Sequence, residues 1–296
     1  MTSVLYDAQG PRAKRRNVLY TVLFVLVFAA VAWWVYTELS DKGQLDWAKW
    51  QPFVHGEAWT TYLLPALKNT LIAAAVSMII ALPLGALFGI ARLSDHAWIR
   101  VPASVVVEFF RAIPVLILMI FGLALFAEYS NLSSDDRPLY AVVTGLVLYN
   151  SAVLAEIVRA GILSLPKGQT EAAQAIGLRK TQTMTSILLP QAVTAMLPAI
   201  VSQLVVIVKD TALGGAILTY SELMASVSPM SSYYGANTIA SFTVVALIYV
   251  VLNFSLTSFA SWLERRLRRG RKSGGAVVPP SAAADIAGTA GTGAAA

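Results

Sequence analysis

The chain of 296 residues is 57% hydrophobic and only 13% charged, with a net charge of +6, no cysteine and a mean hydropathy of +0.66. An ordinary soluble domain carries roughly 25% charged residues, so much of this surface faces something other than water, and a bilayer is the solvent it fits. A strand barrel is disfavoured, because the apolar runs lack period-two alternation in segments of about ten residues. Without cysteine, neither a disulfide nor a Cys-ligated metal site can form, which leaves the redox compartment unread.

Residues 1–16 read as a polar cytoplasmic arm carrying Arg12, Lys14, Arg15 and Arg16. A crossing helix needs about 20 mostly apolar residues at a rise of about 1.5 Å each. The first such run falls within 17–37, centred on 18–36. Ala30-Val31-Ala32 matches the cleavage pattern of a secretory leader, which is the competing reading. Trp33, Trp34 and Tyr36 instead continue the apolar run and suit an interfacial belt. A connection over 38–68 holds Trp47, Trp50 and Trp59. Further spans are expected over 69–91, 101–127, 139–163, 186–208 and 238–263, giving an all-α integral membrane protein of six helices. The stretch 270–296, rich in Gly, Ala, Pro and Ser, is expected to be a disordered tail.

Orientation follows from the basic residues, which collect on cytoplasmic flanks. Every second connection is basic: Arg92 and Arg100, then Lys167, Arg179 and Lys180, then the arginines after the sixth span. The alternate connections are mostly acidic, with Glu38, Asp46, Glu57, Glu128, Asp135 and Glu222. Both termini are therefore expected in the cytoplasm. The positive charge reads as topology and contact with anionic lipid headgroups, with no nucleic-acid partner.

Ionisable groups inside a span are expensive and need a partner, a watery cavity or a function. Counting residues along a straight third span places Arg111 roughly 15 Å deep, and Asn150, entered from the opposite side, reaches a similar level. A guanidinium and an amide at one depth suit an amino-acid carboxylate, with Ser151 assisting. The alternative is internal: Glu108 lies one turn before Arg111 and can neutralise it. Pro114 is expected to bend or open this helix. Glu156 and Arg159, a turn apart, read as a structural or gating pair at the cytoplasmic edge. Lys209, Asp210 and Thr211 are expected to end the fifth span. There Asp210 reads a substrate ammonium or closes an outer gate, and Gly214 and Gly215 permit a sharp break. His55 and His96 lie in loops without ligand-like neighbours, so no metal site is expected.

Between the fourth and fifth spans, Thr170 is expected to cap a two-turn helix opening at Glu171, continuing through Ala172 and Ala173 and stopped by Gly177. A helix so short needs packing to persist, so docking into another protein stands against a solvated connector. Glu171 and Arg179 are expected to pair at its rim.

Glu171-Ala172-Ala173, Gly177 and Ile187-Leu188-Leu189-Pro190 resemble the EAA loop of bacterial ABC-importer permeases. "EFFRAIPVLI" at 108–117, "AEIVRAGILSLPKGQTEAAQAIGL" at 155–178 and "VKDTALGGAI" at 208–217 resemble its polar amino acid subfamily, and the added first span resembles actinobacterial glutamate-uptake permeases. The resemblance implies a permease core over 62–264, a five-helix fold with an extra N-terminal helix. It implies a multi-pass subunit of a bacterial cell membrane that imports glutamate or a related polar amino acid. It also implies a coupling helix around Glu171, Ala172, Ala173 and Gly177 that docks on a cytoplasmic ATPase. Further implied partners are a second permease, homologous or identical, and an extracytoplasmic solute-binding protein. ATP and Mg are implied on the ATPase and no cofactor on this chain, which contains no G-x-x-x-x-G-K-[ST] loop. The family's R-G-T-P-L-L-V-Q stands here as Arg111-Ala112-Ile113-Pro114-Val115-Leu116-Ile117-Leu118, so binding roles of the lost threonine and glutamine do not transfer. From the residues alone, an ion-coupled secondary transporter or channel remains the alternative.

Overall fold

The computed structural model describes residues 10–269, and the tail 270–296 and most of the N-terminal arm lie outside them. The helices are α1 Pro11–Asp41, α2 Trp47–Trp50, α3 Gly56–Ala91, α4 Ala97–Ala112, α5 Val115–Tyr129, α6 Arg137–Leu163, α7 Lys167–Ala175, α8 Lys180–Ile217, α9 Val227–Tyr233 and α10 Thr238–Arg269. Five of these are long and apolar enough to cross a membrane, and the bent pair α4 and α5 makes a sixth crossing if taken as one span. One π turn interrupts α3 at Trp59–Leu63 and another α8 at Met184–Leu188.

Several boundaries depart from the apolar runs for simple reasons. Helix α1 begins in the basic arm, because Pro11 suits the first helical turn and Lys and Arg are good helix formers in water. The third span is not one rod: α4 stops at Ala112, and the axis turns by 98° before α5. Ile113 is extended, the conformation favoured before a proline, and Pro114 has ψ 134°, so neither continues the helix. Helix α8 runs through Gly214 and Gly215 to Ile217, and the reversal comes at Thr219, whose φ is +60°.

The chain divides into two compact bodies. The first comprises residues up to 72 with Ala212–Tyr249. None of α1 is buried, so its apolar side chains are available to lipid. The connection after it is tied down by polar bonds. Gln44 Nε2 donates to Ala236 O at 3.1 Å, Asn237 Nδ2 to Lys49 O at 3.2 Å, and Lys49 Nζ to Gly235 O. The segment after α8 is pinned to α3: Tyr220 Oη donates to Asn69 O at 2.8 Å, and Asn69 Nδ2 donates to Ser221 O at 2.7 Å. At its centre Glu222 is fully buried, accepting bonds from Tyr249 Oη and from Ala225 N at 3.0 Å. Burial pushes this carboxyl up, against the pull of those donors. Gly215 is required here by space, since a Cβ would stand 1.7 Å from Glu222 Oε1.

Among the described residues, the second body comprises Ala73–Thr211 and 250–269. Helix α6 is its centre: 61% of its most apolar window is buried, far more than in any other spanning helix. It is approached closely by α3, where Cβ atoms at Gly85 and Gly89 would fall 2.5 Å from Leu154 Cβ and 2.7 Å from Ala155 O. Small residues four apart let two helices in lipid touch along their backbones, which is how such helices gain dispersion contact. Against α6, α5 packs with Met119 over Gly145, and α8 with Met196 over Gly161.

Candidate functional site

Helix α7 forms the compact polar element between α6 and α8. It begins at Lys167 after Pro166, so Thr170 and Glu171 lie inside it rather than at its cap. Gly168 does not break it, because nothing crowds that position and one glycine costs a helix only about 1 kcal/mol. The expected stop is where it was placed. Gly177 has φ +80°, its N–H donates to Gln174 O at 2.9 Å, and Leu178 N donates to Ala173 O at 3.0 Å. Those two bonds are a Schellman motif, which satisfies the last carbonyls of a helix.

The faces of α7 are unequal. Ala173 is buried within this chain, whereas Glu171, Ala172 and Ile176 are exposed. Gln169 and Gln191 exchange amide bonds at 2.8 and 2.7 Å and fasten α7 to α8. Ala173 is thus covered by this chain's own atoms, and Glu171 and Ala172 are left on the open face. No ion pair joins Glu171 to Arg179 among the described residues; the Arg179 N–H is instead capped by Gln182 Oε1 at 2.9 Å.

A second constellation gathers at the ends of α3, α4 and α6. Arg92 sends Nη2 to Glu108 Oε1 at 2.8 Å and Nη1 to Glu156 Oε2 at 2.7 Å. Glu156 also holds Arg159 at 2.6 Å, and Glu108 holds Arg111 at 3.5 Å. Three guanidiniums face two carboxylates. Arg92 is the hub, its side chain 10% exposed and its Nε buried without a hydrogen-bond partner, while Arg111 is 37% exposed and held by one long contact. Arg111 pairs internally, as one of its two readings required.

No hydrogen bond joins Arg111 to Asn150 among the described residues; the residues counted from Val101 to Arg111 lie within α4, before the 98° turn. Asn150 is fully buried, donates Nδ2 to Leu146 O at 2.7 Å and accepts Gln203 Nε2 at 2.6 Å. Both ends of its amide are thereby occupied. Ser151 is buried too, and its Oγ donates to Leu148 O at 3.2 Å.

Lys209, Asp210 and Thr211 do not end α8 but lie within it. Thr211 is fully buried and donates to Val208 O at 2.7 Å, Asp210 is partly buried, and Lys209 is exposed. Adjacent residues here point different ways, as helix geometry demands. In the first body, a cavity of about 640 Å³ is lined by the hydroxyls of Thr219, Ser221, Ser228, Ser231 and Thr238 and by no charged group. Such a lining cannot neutralise a zwitterion.

Arg92 and Gln203 were not singled out from sequence as site residues. An arginine closing an apolar run signals topology, and no local spacing links 92 to 108 and 156, or 150 to 203.

Residues 81–269 match the family model described as binding-protein-dependent transport system inner membrane component. The glutamate transport system permease protein GluD of Corynebacterium glutamicum is 52% identical over 233 residues, covering 79% of this chain and 85% of that one. The glutamate/aspartate import permease protein GltK of Escherichia coli O6:H1 is 29% identical, covering 75% and 98%. Among solved structures, a chain from a crystal structure of an amino acid ABC transporter with histidines aligns with a TM-score of 0.64 and 26% identity, covering 73% of this chain and 98% of that one.

Proposed function

This chain belongs to the family of binding-protein-dependent transport system inner membrane components, and on that footing we propose that its cargo is glutamate or a closely related polar amino acid. It is the membrane-spanning permease subunit of an ABC importer, and the ATPase of such an importer is a separate subunit. The observation that carries the substrate assignment is the 52% identity to a glutamate permease over most of both chains.

In this reading, ATP and Mg sit on two cytoplasmic ATPases, each gripping the exposed face of an α7 through Glu171, Ala172 and Ile176. Two permeases, identical or homologous, form the pathway, and an extracytoplasmic binding protein delivers the amino acid. Both termini lie in the cytoplasm of a bacterial cell. The Schellman ending supports the docking role, because it makes a rigid rod of a segment too short to be stable alone. Closure of the ATPases favours the outward-open state, and their release the inward-open one, so each nucleotide state biases a two-state equilibrium.

The excess positive charge around Arg92 supports attraction of an anionic substrate. Arg111, the exposed and weakly held guanidinium, meets the carboxylate. Glu108, Glu156 and Arg159 hold the gate around it, and Asp210 meets the ammonium farther along α8. Asn150, Ser151 and Thr211 shape the pathway by packing.

Reconstitution of the four components with labelled glutamate tests this reading. Uptake that requires ATP, the ATPase and the binding protein, and that glutamate competes away before arginine or histidine, is the expected result. Transport by this chain alone along an ion gradient would establish the ion-coupled alternative.

A further inference from the structure

Helices α6 and α8 are covalently continuous with the coupling segment, whereas α4 and α5 reach it only through contacts, apolar ones against α6 and a polar route beside them. The link between α3 and α4, residues 92–96, supplies the polar route. Lys180, the first residue of α8, donates Nζ to Leu93 O at 2.9 Å and pairs with the carboxylate of Asp95. The hydrogen bond and charge of Lys180 hold that carboxyl below the usual range. At the other end of the same link, Arg92 grips Glu108 in the last turns of α4, and Glu108 in turn holds Arg111 just before the bend.

Leu93 of the link packs in one apolar cluster with Leu188 and Ala192 of α8, but the space beside the ion pair is open. A cavity of about 480 Å³ lies on one side of the Lys180–Asp95 pair, lined by Leu87, Ile90, Ile99 and Met184. Another of about 320 Å³ lies on the other, reaching Thr170 and Gln174 of α7. Lys180 therefore spans open space at the edge of that cluster, as a strut does. An exposed ion pair alone contributes little, but this ammonium is fixed by a second acceptor, and Arg92 behind it is shielded from water with two carboxylates.

We propose that Lys180, Asp95 and Arg92 form a strut that carries displacement of α7 to Glu108 and Arg111 at the broken helix, so that α4 and α5 are levered in step with α6 and α8. The inference rests on the reading that α7 docks on the ATPase. Lys180 and Asp95 are positioning residues in it; neither touches substrate.

The test measures amino acid transported per ATP hydrolysed by the full complex in proteoliposomes, for Asp95→Lys, Lys180→Asp and the double exchange. Coupling networks of this kind shift an equilibrium between about two- and thirty-fold. Each single change is expected to lower the ratio within that range while the ATPase co-purifies normally, and the double exchange is expected to recover most of it. Both positions are exposed, so folding is spared. Wild-type ratios in the single variants, or a double exchange no better than the worse single, would overturn the strut. A second arm places cysteines at 95 and 180 of this cysteine-free chain and joins them with a short bis-maleimide, each thiol adding across one maleimide double bond. A strut keeps transporting when its ends are bonded, and arrest would show that the pair must part. Glu171→Lys separates the two readings. If it lowers ATPase association while the strut variants behave as wild type, only the strut falls; if it changes neither association nor coupling, docking and strut fall together.

Discussion

Replacing Gln203 by leucine removes the donor that satisfies the Asn150 carbonyl, which accepts it at 2.6 Å from a fully buried position. In soluble proteins a stranded buried acceptor costs about 1–3 kcal/mol. Between membrane helices the measured worth of a hydrogen bond averages about 0.6 and reaches about 1.7 kcal/mol, because the unfolded chain in lipid finds other partners. Full burial of the asparagine places the loss at the upper end, so Gln203→Leu lowers the unfolding free energy by about 1–1.5 kcal/mol. Asn150→Leu costs a similar amount by stranding the glutamine and freeing the carbonyl of Leu146 from its second donor. Leucine at both positions strands neither amide, so the double variant recovers about 0.5–1 kcal/mol relative to the sum of the singles. Reversible unfolding in mixed detergent and dodecyl sulfate micelles reads these differences, with uptake KM measured alongside. Strict additivity, or a raised KM in Asn150→Leu with unchanged stability, would refute the packing role and return Asn150 to the substrate.

Gly89→Ala puts a Cβ 2.7 Å from both Ala155 O and Val158 Cβ and is expected to cost about 1–3 kcal/mol, whereas Gly168→Ala, in open space on α7, gains about 0.5–1 kcal/mol. Paired thermal melts of the two variants check this. Gly177→Val forces a β-branched residue to φ +80° and is expected to cost at least about 1–2 kcal/mol and to weaken ATPase co-purification, with Gly177→Asn milder on both counts. Glu222 has a folded-state pKa raised above its ordinary 4.5, so the folded chain keeps a proton that the unfolded chain has lost. Its contribution to stability is therefore complete below that ordinary value and declines as pH rises through the raised one. Melting temperature against pH is expected to lose this decline in Glu222→Gln.

The spans were legible because apolar runs of that length have no other stable use, and Gly177 because a left-handed residue is needed where a short helix stops. The break at Pro114 was readable as a bend, but not its size, which depends on Ile113 also leaving the helical region. Two other features were invisible for a common reason. The hub role of Arg92 and the Asn150 and Gln203 pair join residues far apart in sequence, and no periodicity records such contacts. Gly85 and Gly89 did leave a signal, small residues one turn apart in an apolar run. The break expected before Ser221 comes at Thr219, beyond Gly214 and Gly215, which stay helical; Gly215 makes room for Glu222, a steric need that looks in sequence like a conformational one.

The central claim is that a cytoplasmic helix of this permease is gripped by a separate ATPase through one face. Single cysteines at Ala172, Ala173 and Ile176, introduced into the cysteine-free chain and crosslinked in intact cells, test it most directly. Crosslinks to the ATPase from Ala172 and Ile176, weak or missing from buried Ala173 and changed by trapping the nucleotide state, are the expected result. No crosslink from either exposed position would contradict the account.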